Sequence, residues 1–400
     1  MNAMLTKRIQ NLAPSKTMAV TAKSKELKAQ GIKVYDYSVG EPDFITPENI
    51  REAAKRAMDA GHTKYTLVNG ITELREAICR KLREDNYLQY SPENIVVGTG
   101  AKQPLFEAVF TICEEGDEVL IPVPAWVSYE EMVKLAGATP VYVETDAVRG
   151  FALDVEAIRR AVTPRTKAII LNTPNNPTGA VYSEDSLRKL AQIALENHFY
   201  IIVDEIYEKL LYDGATHFSI ASISEEVKDI CLVLNGFSKS YAMTGWRMGY
   251  VAANSEVICG IKGLQSHMTS ASNTIAQYAS LEALTGPQDF ITEMHTAFEQ
   301  RREYILKRVK EIPFVHTNRA QGAFYVMLDI REMFGKSYHG IVLQDSMQIA
   351  ELLLTEKHVA FVSGAAFHVE GYLRMCYAVS MEDIEGGLNA LDEFVKALEE

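Results

Sequence analysis

The chain has 400 residues, of which 47% are hydrophobic, enough to bury a sizeable core and typical of a large α/β enzyme. Its 53 acidic and 40 basic side chains leave a formal charge of −13, which argues against a nucleic-acid binder and against attraction to anionic lipid, since both need a basic face. The five cysteines (Cys79, Cys113, Cys231, Cys259 and Cys376) are scattered without a Cys-x-x-Cys pair, so neither a disulfide framework nor a zinc site is expected, and no metal is assigned. Met1–Leu12 lacks the long apolar stretch of a secretory signal, and no run approaches the roughly 18 apolar residues that span a bilayer. A reducing compartment, the cytoplasm, is the expected location.

From about Ile95 to Ala253, short β-branched runs alternate with longer helical patterns. The predicted strands are Ile95–Gly98, Glu118–Ile121, Val141–Glu144, Ala168–Asn172, Tyr200–Asp204, Ile230–Asn235 and Gly249–Ala252. Most are nearly continuous apolar runs, as expected when both faces of a sheet are covered. Ser183–Asn197 carries Leu187, Leu190, Ala191, Ala194 and Leu195 at helical spacing, with Ser183 placed to cap the N-terminus. This alternation predicts an α/β fold with a mostly parallel sheet between helices. After about Leu284 the character changes. A charged helix over Phe290–Glu311, a strand over Gly322–Asp329, a helix over Leu343–Lys357 and short strands at Val359–Val362 and Tyr372–Ala378 predict a smaller α+β domain. Residues 1–45 have little core of their own and join it, which divides the chain into 1–45, 46–284 and 285–400.

Four segments at the ends of predicted strands carry chemistry. Val97-Gly98-Thr99-Gly100-Ala101-Lys102-Gln103-Pro104 runs from a strand into a helix, and its small residues let backbone N–H groups approach an anion. It lacks the third glycine of a dinucleotide fingerprint and the Gly-Lys-Ser/Thr of a phosphate loop. Asn172-Thr173-Pro174-Asn175-Asn176-Pro177-Thr178-Gly179 is rich in turn formers, which usually mark an ordinary loop, but here the turn follows a buried strand and puts Asn176 near its end. Val203-Asp204-Glu205-Ile206-Tyr207 closes another strand; taken alone, Asp204 is as readily a helix cap as a ligand carboxylate. Gly236-Phe237-Ser238-Lys239 follows the apolar run Cys231–Leu234 and continues through Met243-Thr244-Gly245-Trp246-Arg247. Most lysines reach solvent from such a loop, whereas a desolvated one is a Schiff-base nucleophile. Asp204 precedes Lys239 by 35 residues (239 − 204), room for another strand–helix–strand unit that leaves both on one sheet edge.

In this order the four segments resemble the class I/II (fold-type I) pyridoxal-phosphate-dependent aminotransferases, most of all the bacterial aspartate aminotransferase subgroup. The likeness spans essentially the whole chain. It includes Gly40-Glu41-Pro42-Asp43-Phe44, Lys64-Tyr65-Thr66 and Gly322-Ala323-Phe324-Tyr325. It implies a large cofactor-binding domain with a mostly parallel seven-stranded sheet between helices, and a smaller α+β domain. It also implies that Lys239 forms the Schiff base with pyridoxal 5′-phosphate and shuttles the proton, while Asp204 stays ionised beside the pyridine nitrogen. Tyr207 and Asn176 would hydrogen-bond the ring's phenolic oxygen. Trp126, in Pro124-Ala125-Trp126-Val127-Ser128-Tyr129, would stack on the ring. The phosphate would be held by Arg247, Ser238 and the backbone of Gly100, Ala101 and Lys102, with Tyr65 donated by the neighbouring subunit of a homodimer. Arg374, in Tyr372-Leu373-Arg374-Met375, matches the arginine that takes the substrate α-carboxylate. Gly40 would add a backbone contact to substrate, and Phe324 would line the pocket.

The fit departs from the most familiar aspartate aminotransferases at one point. Those take the distal carboxylate with an arginine from the other subunit, and Met268-Thr269-Ser270-Ala271-Ser272-Asn273 contains none. In the subgroup resembled here a lysine in a Gly-x-Lys-Gln loop takes that role, matched by Lys102. The implied reaction moves an amino group from aspartate or glutamate to a 2-oxo acid such as 2-oxoglutarate in a ping-pong cycle. An aromatic or prephenate aminotransferase and a carbon–sulfur β-lyase are the alternatives. A lyase needs a leaving group at Cβ rather than a clamp for a distal carboxylate, so Lys102 weighs against it. The sensory domain of a regulator would come with a basic DNA-binding module, and the enzyme-like span leaves no segment for one.

Overall fold

All seven predicted strands form, each within two residues of its expected ends: β1 (Ile95–Thr99), β2 (Glu118–Val123), β3 (Thr139–Glu144), β4 (Thr166–Asn172), β5 (Tyr200–Asp204), β6 (Cys231–Gly236) and β7 (Met248–Ala252). This computed structural model describes residues 5–10, 12 and 16–399. Part of the Met1–Leu12 stretch, and with it part of segment 1–45, lies outside the described residues. The strands make one sheet in the order β1-β7-β6-β5-β4-β2-β3, parallel except for β7, which is antiparallel to both neighbours.

Strand alternation sorts the side chains between two cores. Ile201 and Val203 face one cluster with Leu187 and Leu190 of the helix Glu184–Asn197, whereas Ile202 faces another with Leu105 and Val109 of the helix Lys102–Ile112. Because each strand is covered on both faces, the runs read as continuously apolar. Ser183 caps the Glu184–Asn197 helix as expected, its hydroxyl accepting from the Ser186 N–H at 3.2 Å.

The C-terminal region differs from expectation in detail. The predicted strand over Gly322–Asp329 starts only at Tyr325, because Ala323 has a left-handed φ of 58° and Gly322 is pressed against Pro174. Val359–Val362 is not one strand. Val359–Ala360 pairs with Tyr35–Asp36, tying the first 45 residues to the C-terminal part, while Val362–Ser363 joins a separate sheet. That antiparallel sheet holds β8 (His316–Thr317), β9 (Tyr325–Asp329), β10 (Val362–Ser363) and β11 (Tyr372–Cys376) in the order β10-β11-β9-β8. Between Asp204 and Lys239 lie a 3-10 turn over Ile220–Ser222, one short helix, Glu225–Asp229, and β6, so the segment supplies one strand rather than a second full strand–helix–strand unit. No helix among the described residues is long and apolar enough to cross a membrane.

Where β7 turns antiparallel, two backbones come very close. A Cβ on Gly249 would lie 2.2 Å from the Ala101 nitrogen, so glycine is required for the Gly100–Lys102 turn to sit against the sheet. Gly249→Ala is therefore expected to cost about 1–3 kcal/mol of stability through overpacking and to weaken cofactor retention. Gly263→Ala, on a helix with open space around it, is the control and should be neutral or slightly stabilising. Thermal unfolding and cofactor content after gel filtration read both effects.

Candidate active site

Asn172, Asp204 and Leu234 stand side by side across β4, β5 and β6, so these parallel strands end at one level. Ligands of open α/β sheets bind at such carboxyl ends, and a cavity of about 370 Å³ opens here. Its lining brings together Gly40, Ala101, Lys102, Trp126, Asn176, Asp204, Tyr207, Ser238, Lys239, Arg247 and Arg374, all expected from sequence.

Lys239 follows β6 and keeps some accessible surface on the cavity wall; its Nζ donates to the Gly40 carbonyl at 2.6 Å. Desolvation pushes its pKa down to about 8, toward the neutral amine. Burial acts on Asp204 in the opposite sense and raises its pKa to about 6, against the Tyr129 hydroxyl that donates to Oδ2 at 2.8 Å and the Ile206 N–H at 3.3 Å. The Tyr207 hydroxyl lies 3.0 Å from that of Tyr325. Arg374 comes from β11, where it pairs in register with Met327 of β9. It is 4% exposed, and its guanidinium donates to Asn176 Oδ1 at 3.2 Å and to the Ser38 carbonyl at 2.6 Å, while Nε is buried without a hydrogen-bond partner. Arg247 donates to the Thr244 carbonyl at 2.9 Å and packs under Gly100, where a Cβ would come within 2.4 Å of Nη2. Lys102 Nζ sits 4.6 Å from the centroid of the Trp126 ring. Partial burial and the charge of Arg247 hold its pKa below the ordinary value.

Three expected residues are off this wall. Gly100 lies just beneath it against Arg247. Tyr65 is 94% exposed and away from the cavity of its own chain. The expectation that Phe324 lines the pocket is corrected: the ring is fully buried, packed edge-on to Tyr207 and against Phe298, and its neighbour Tyr325 faces the cavity. The two rings diverge at the start of β9, and Phe324 sits behind the cavity wall with Lys239 Nζ 5.8 Å from its centroid. Tyr129, Asn172, Ser38 and Tyr325 were not singled out. Tyr129, three residues after Trp126 at the start of a helix, carried a readable signal because that spacing puts both on one face. Asn172, whose Nδ2 donates to the Asp204 carbonyl at 2.9 Å, carried none outside its turn motif.

Among the described residues, four cations (Lys102, Lys239, Arg247 and Arg374) and a single carboxylate face this cavity. The contacts of the cations run to backbone carbonyls, an amide and aromatic rings rather than to protein carboxylates. Buried or half-buried charges need partners, so the donor set is complementary to an anionic ligand bearing a phosphate and carboxylates. An amine brought toward neutrality adds a nucleophile for a carbonyl, and Asp204 adds an acceptor for a protonated ring nitrogen. These are the requirements of pyridoxal phosphate with an amino acid, and the fold and site together define a pyridoxal-phosphate enzyme.

The family model described as aminotransferase class I and II matches residues 32–391, and the chain belongs to that family, whose cofactor is pyridoxal 5′-phosphate. The chain is 48% identical to an aspartate aminotransferase of Bacillus sp. (strain YM-2) over 396 residues, 99% of this chain and 100% of the relative. It is 44% identical to an aspartate/prephenate aminotransferase of Cereibacter sphaeroides over 398 residues, again 99% and 100%. The structure of the Thermus thermophilus aspartate aminotransferase with maleate superposes with a TM-score of 0.93 at 42% identity, covering 98% of this chain and 100% of that one.

The raised pKa of Asp204 has a thermodynamic consequence. Between its unfolded value near 3.8 and about 6 the folded apoprotein binds more protons at this residue than the unfolded chain does, so the stability it contributes falls as pH rises through that window. Asp204→Asn is expected to flatten this fall in the apoprotein, yet to slow turnover by orders of magnitude. Calorimetry of both apoproteins from about pH 4 to about pH 7, beside activity of the reconstituted enzymes, checks both halves. An asparagine variant with wild-type turnover would remove Asp204 from the chemistry.

Proposed function

We propose that this aminotransferase moves the amino group of aspartate or glutamate to a 2-oxo acid such as 2-oxoglutarate, the two substrates taking turns in one site. The observation that carries this is the presence of two cations beyond those the cofactor needs. Arg374 is buried with Nε unpartnered, and Lys102 stands above Trp126. One suits an α-carboxylate and the other a distal carboxylate. The Bacillus relative named for aspartate and the maleate-bearing Thermus structure, maleate being a dicarboxylate, support the reading.

Pyridoxal phosphate supplies a carbonyl that takes up amines covalently and a protonated ring that accepts the electron pair left at the substrate Cα. The rest falls to the chain. Lys239 Nζ would hold the cofactor and serve as the base for the substrate's Cα proton; its depressed pKa suits a base near neutral pH. Asp204, steadied by Tyr129 and the Ile206 N–H, would hold the proton on the ring nitrogen. Because Asn176 Oδ1 is taken by Arg374, its amide nitrogen would be free to donate to the ring's phenolic oxygen together with Tyr207. Trp126 would stack on the ring. Ser238, Arg247 and the backbone of Gly100, Ala101 and Lys102 would hold the phosphate. Arg374 grips the α-carboxylate, and the Gly40 carbonyl orients the lysine and bound substrate.

Tyr65, exposed on its own chain, would reach the phosphate of a second subunit in a homodimer. The five free cysteines suit the cytoplasm. Prephenate is itself a dicarboxylic 2-oxo acid, and the Cereibacter relative is named for it. The same clamp, with Trp126 beside Lys102, admits prephenate as a second acceptor.

Lys102→Ser should cut kcat/KM for aspartate and glutamate by roughly 10²-fold, about 3 kcal/mol, and leave alanine and phenylalanine nearly unchanged, as measured in single half-reactions. Equal loss for all four, or loss of cofactor, would make Lys102 a phosphate residue and withdraw the dicarboxylate assignment. Lys239→Ala and Tyr65→Ala homodimers should each be inactive or severely impaired, while mixing them should restore part of the activity by assembling one intact site per heterodimer. No recovery, with subunit exchange demonstrated, counts against a shared site.

A further inference from the structure

The turn Asp204-Glu205-Ile206-Tyr207-Glu208 has two sides. Asp204, Ile206 and Tyr207 line the cavity; Glu205 and Glu208 do not, yet they are 0% and 6% exposed. Each buried glutamate directly follows a residue that faces the cofactor, and the two are linked by the Glu208 N–H donating to the Glu205 carbonyl at 3.0 Å. Behind the turn, Asn86 Nδ2 donates to Glu208 Oε2 at 2.7 Å and reaches Glu205 Oε2 at 3.5 Å. Lys81 Nζ pairs with Glu208 Oε1 and donates to Asn86 Oδ1 at 2.6 Å. His217 Nε2 lies 3.1 Å from Glu205 Oε2, an ion pair by distance though not an aligned hydrogen bond, and Glu205 Oε1 and His217 Nδ1 have no hydrogen-bond partner.

A buried chamber of this kind has to balance its charge. Two carboxylates face Lys81 and His217, and with both ionised an imidazolium at His217 balances them. The other titratable groups around the chamber do not supply the missing positive charge. Asp85 is shared by Lys81 and Lys209, while Tyr90, Cys231, Tyr241 and Tyr250 are held neutral by burial and nearby carboxylates. Burial opposes a charged His217, but Glu205 and Glu208 outweigh it and raise its pKa. Burial likewise opposes Glu208, but Lys81 and its hydrogen bonds hold it down to about 2.

We propose that Glu205 and Glu208 are positioning residues for the amino-transfer reaction, gripped by Lys81, Asn86 and a protonated His217 so that the turn they share presents Asp204 and Tyr207 to the cofactor ring. This rests on the roles given above to Asp204 and Tyr207. The ligand atoms of Glu205, Glu208 and His217 also lie within 4.8 Å of one another, close enough to hold a divalent ion. Lys81 already occupies Glu208, however, and its ammonium would repel such an ion. The chamber is therefore an ion-pair anchor.

The test uses Glu205→Gln, which keeps shape and removes charge, His217→Gln, and the double variant. Each holoenzyme is expected to lose roughly 10- to 100-fold in kcat with KM little changed, since small misplacements of reacting groups cost that much. The pH of the bound-cofactor absorbance transition should shift, and the double variant should lose no more than the worse single one. In the wild-type apoprotein with ¹⁵N-labelled histidine, assigned by the His217→Gln spectrum, His217 should still carry both protons at a pH where exposed histidines have lost one. Folded variants with wild-type kcat and an unmoved absorbance transition overturn the proposal, even if they melt earlier. So does a neutral His217, which decides the matter if Glu205→Gln does not fold, and so does a stoichiometric divalent metal in the purified protein. An inactive Asp204→Asn beside an unaffected Glu205→Gln sinks the anchor alone, whereas an active Asp204→Asn sinks the reading of the site beneath it.

Discussion

Hydrogen bonding between β4, β5 and β6 holds Asn172, Asp204 and Leu234 level with one another across three adjacent parallel strands. Neighbouring strands are about 4.8 Å apart, so whatever follows each strand emerges into the same small volume. The Asn172 amide reaches the Asp204 carbonyl, the Asn176 turn leaves beside it, and Lys239 comes off β6 three residues past its end. The same covering of both faces that makes the strands apolar also keeps water from their ends. One desolvation acts on both ionisable groups, drawing the Lys239 amine toward neutrality and the Asp204 carboxyl toward protonation. A near-neutral amine and a proton-binding carboxyl therefore arise from one packing decision made by the sheet.

The groups that line the cavity come from different parts of the chain, and the join between them is polar. Ser238, Lys239, Arg247 and Asp204 belong to the large sheet or the loops leaving it. Arg374 belongs to the middle of the four-stranded sheet, flanked in register by Val362 and Met327. Its guanidinium reaches across to Asn176 and to the Ser38 carbonyl, and lies 4.8 Å from the Tyr325 ring and 5.1 Å from the Phe367 ring. A cation held between aromatic faces, with one donor unpaired, keeps its charge available for a carboxylate. Holding unpaired cations this way lowers stability in exchange for binding, as functional sites commonly do.

Much of this was legible in one dimension because the signals are local. Continuous apolar runs marked the strands, and a lysine, an aspartate, an asparagine turn and a glycine-rich loop each sat just past one of them. What eluded the linear reading depended on direction or distance. Phe324 and Tyr325 are adjacent and equally aromatic, and only the path of the chain into β9 decides which one faces the site. Val359–Val362 looked like one strand, but its halves pair with different partners, one of them near residue 35. Glu205, Glu208, Lys81, Asn86 and His217 span 137 positions (217 − 81 plus one) and look like ordinary surface polar residues until folding closes them into one chamber.

The sequence by itself determined the order of the elements, the positions where chemistry could emerge and the residue types available there, since hydrophobic period and turn chemistry are properties of neighbouring residues. Only the tertiary structure decided which of those residues share a cavity, which way each side chain points and which charges go without a protein partner. Those outcomes depend on strand register and on burial by segments far away in the chain. Burial in turn draws the Lys239 amine toward neutrality and the Asp204 carboxyl toward protonation.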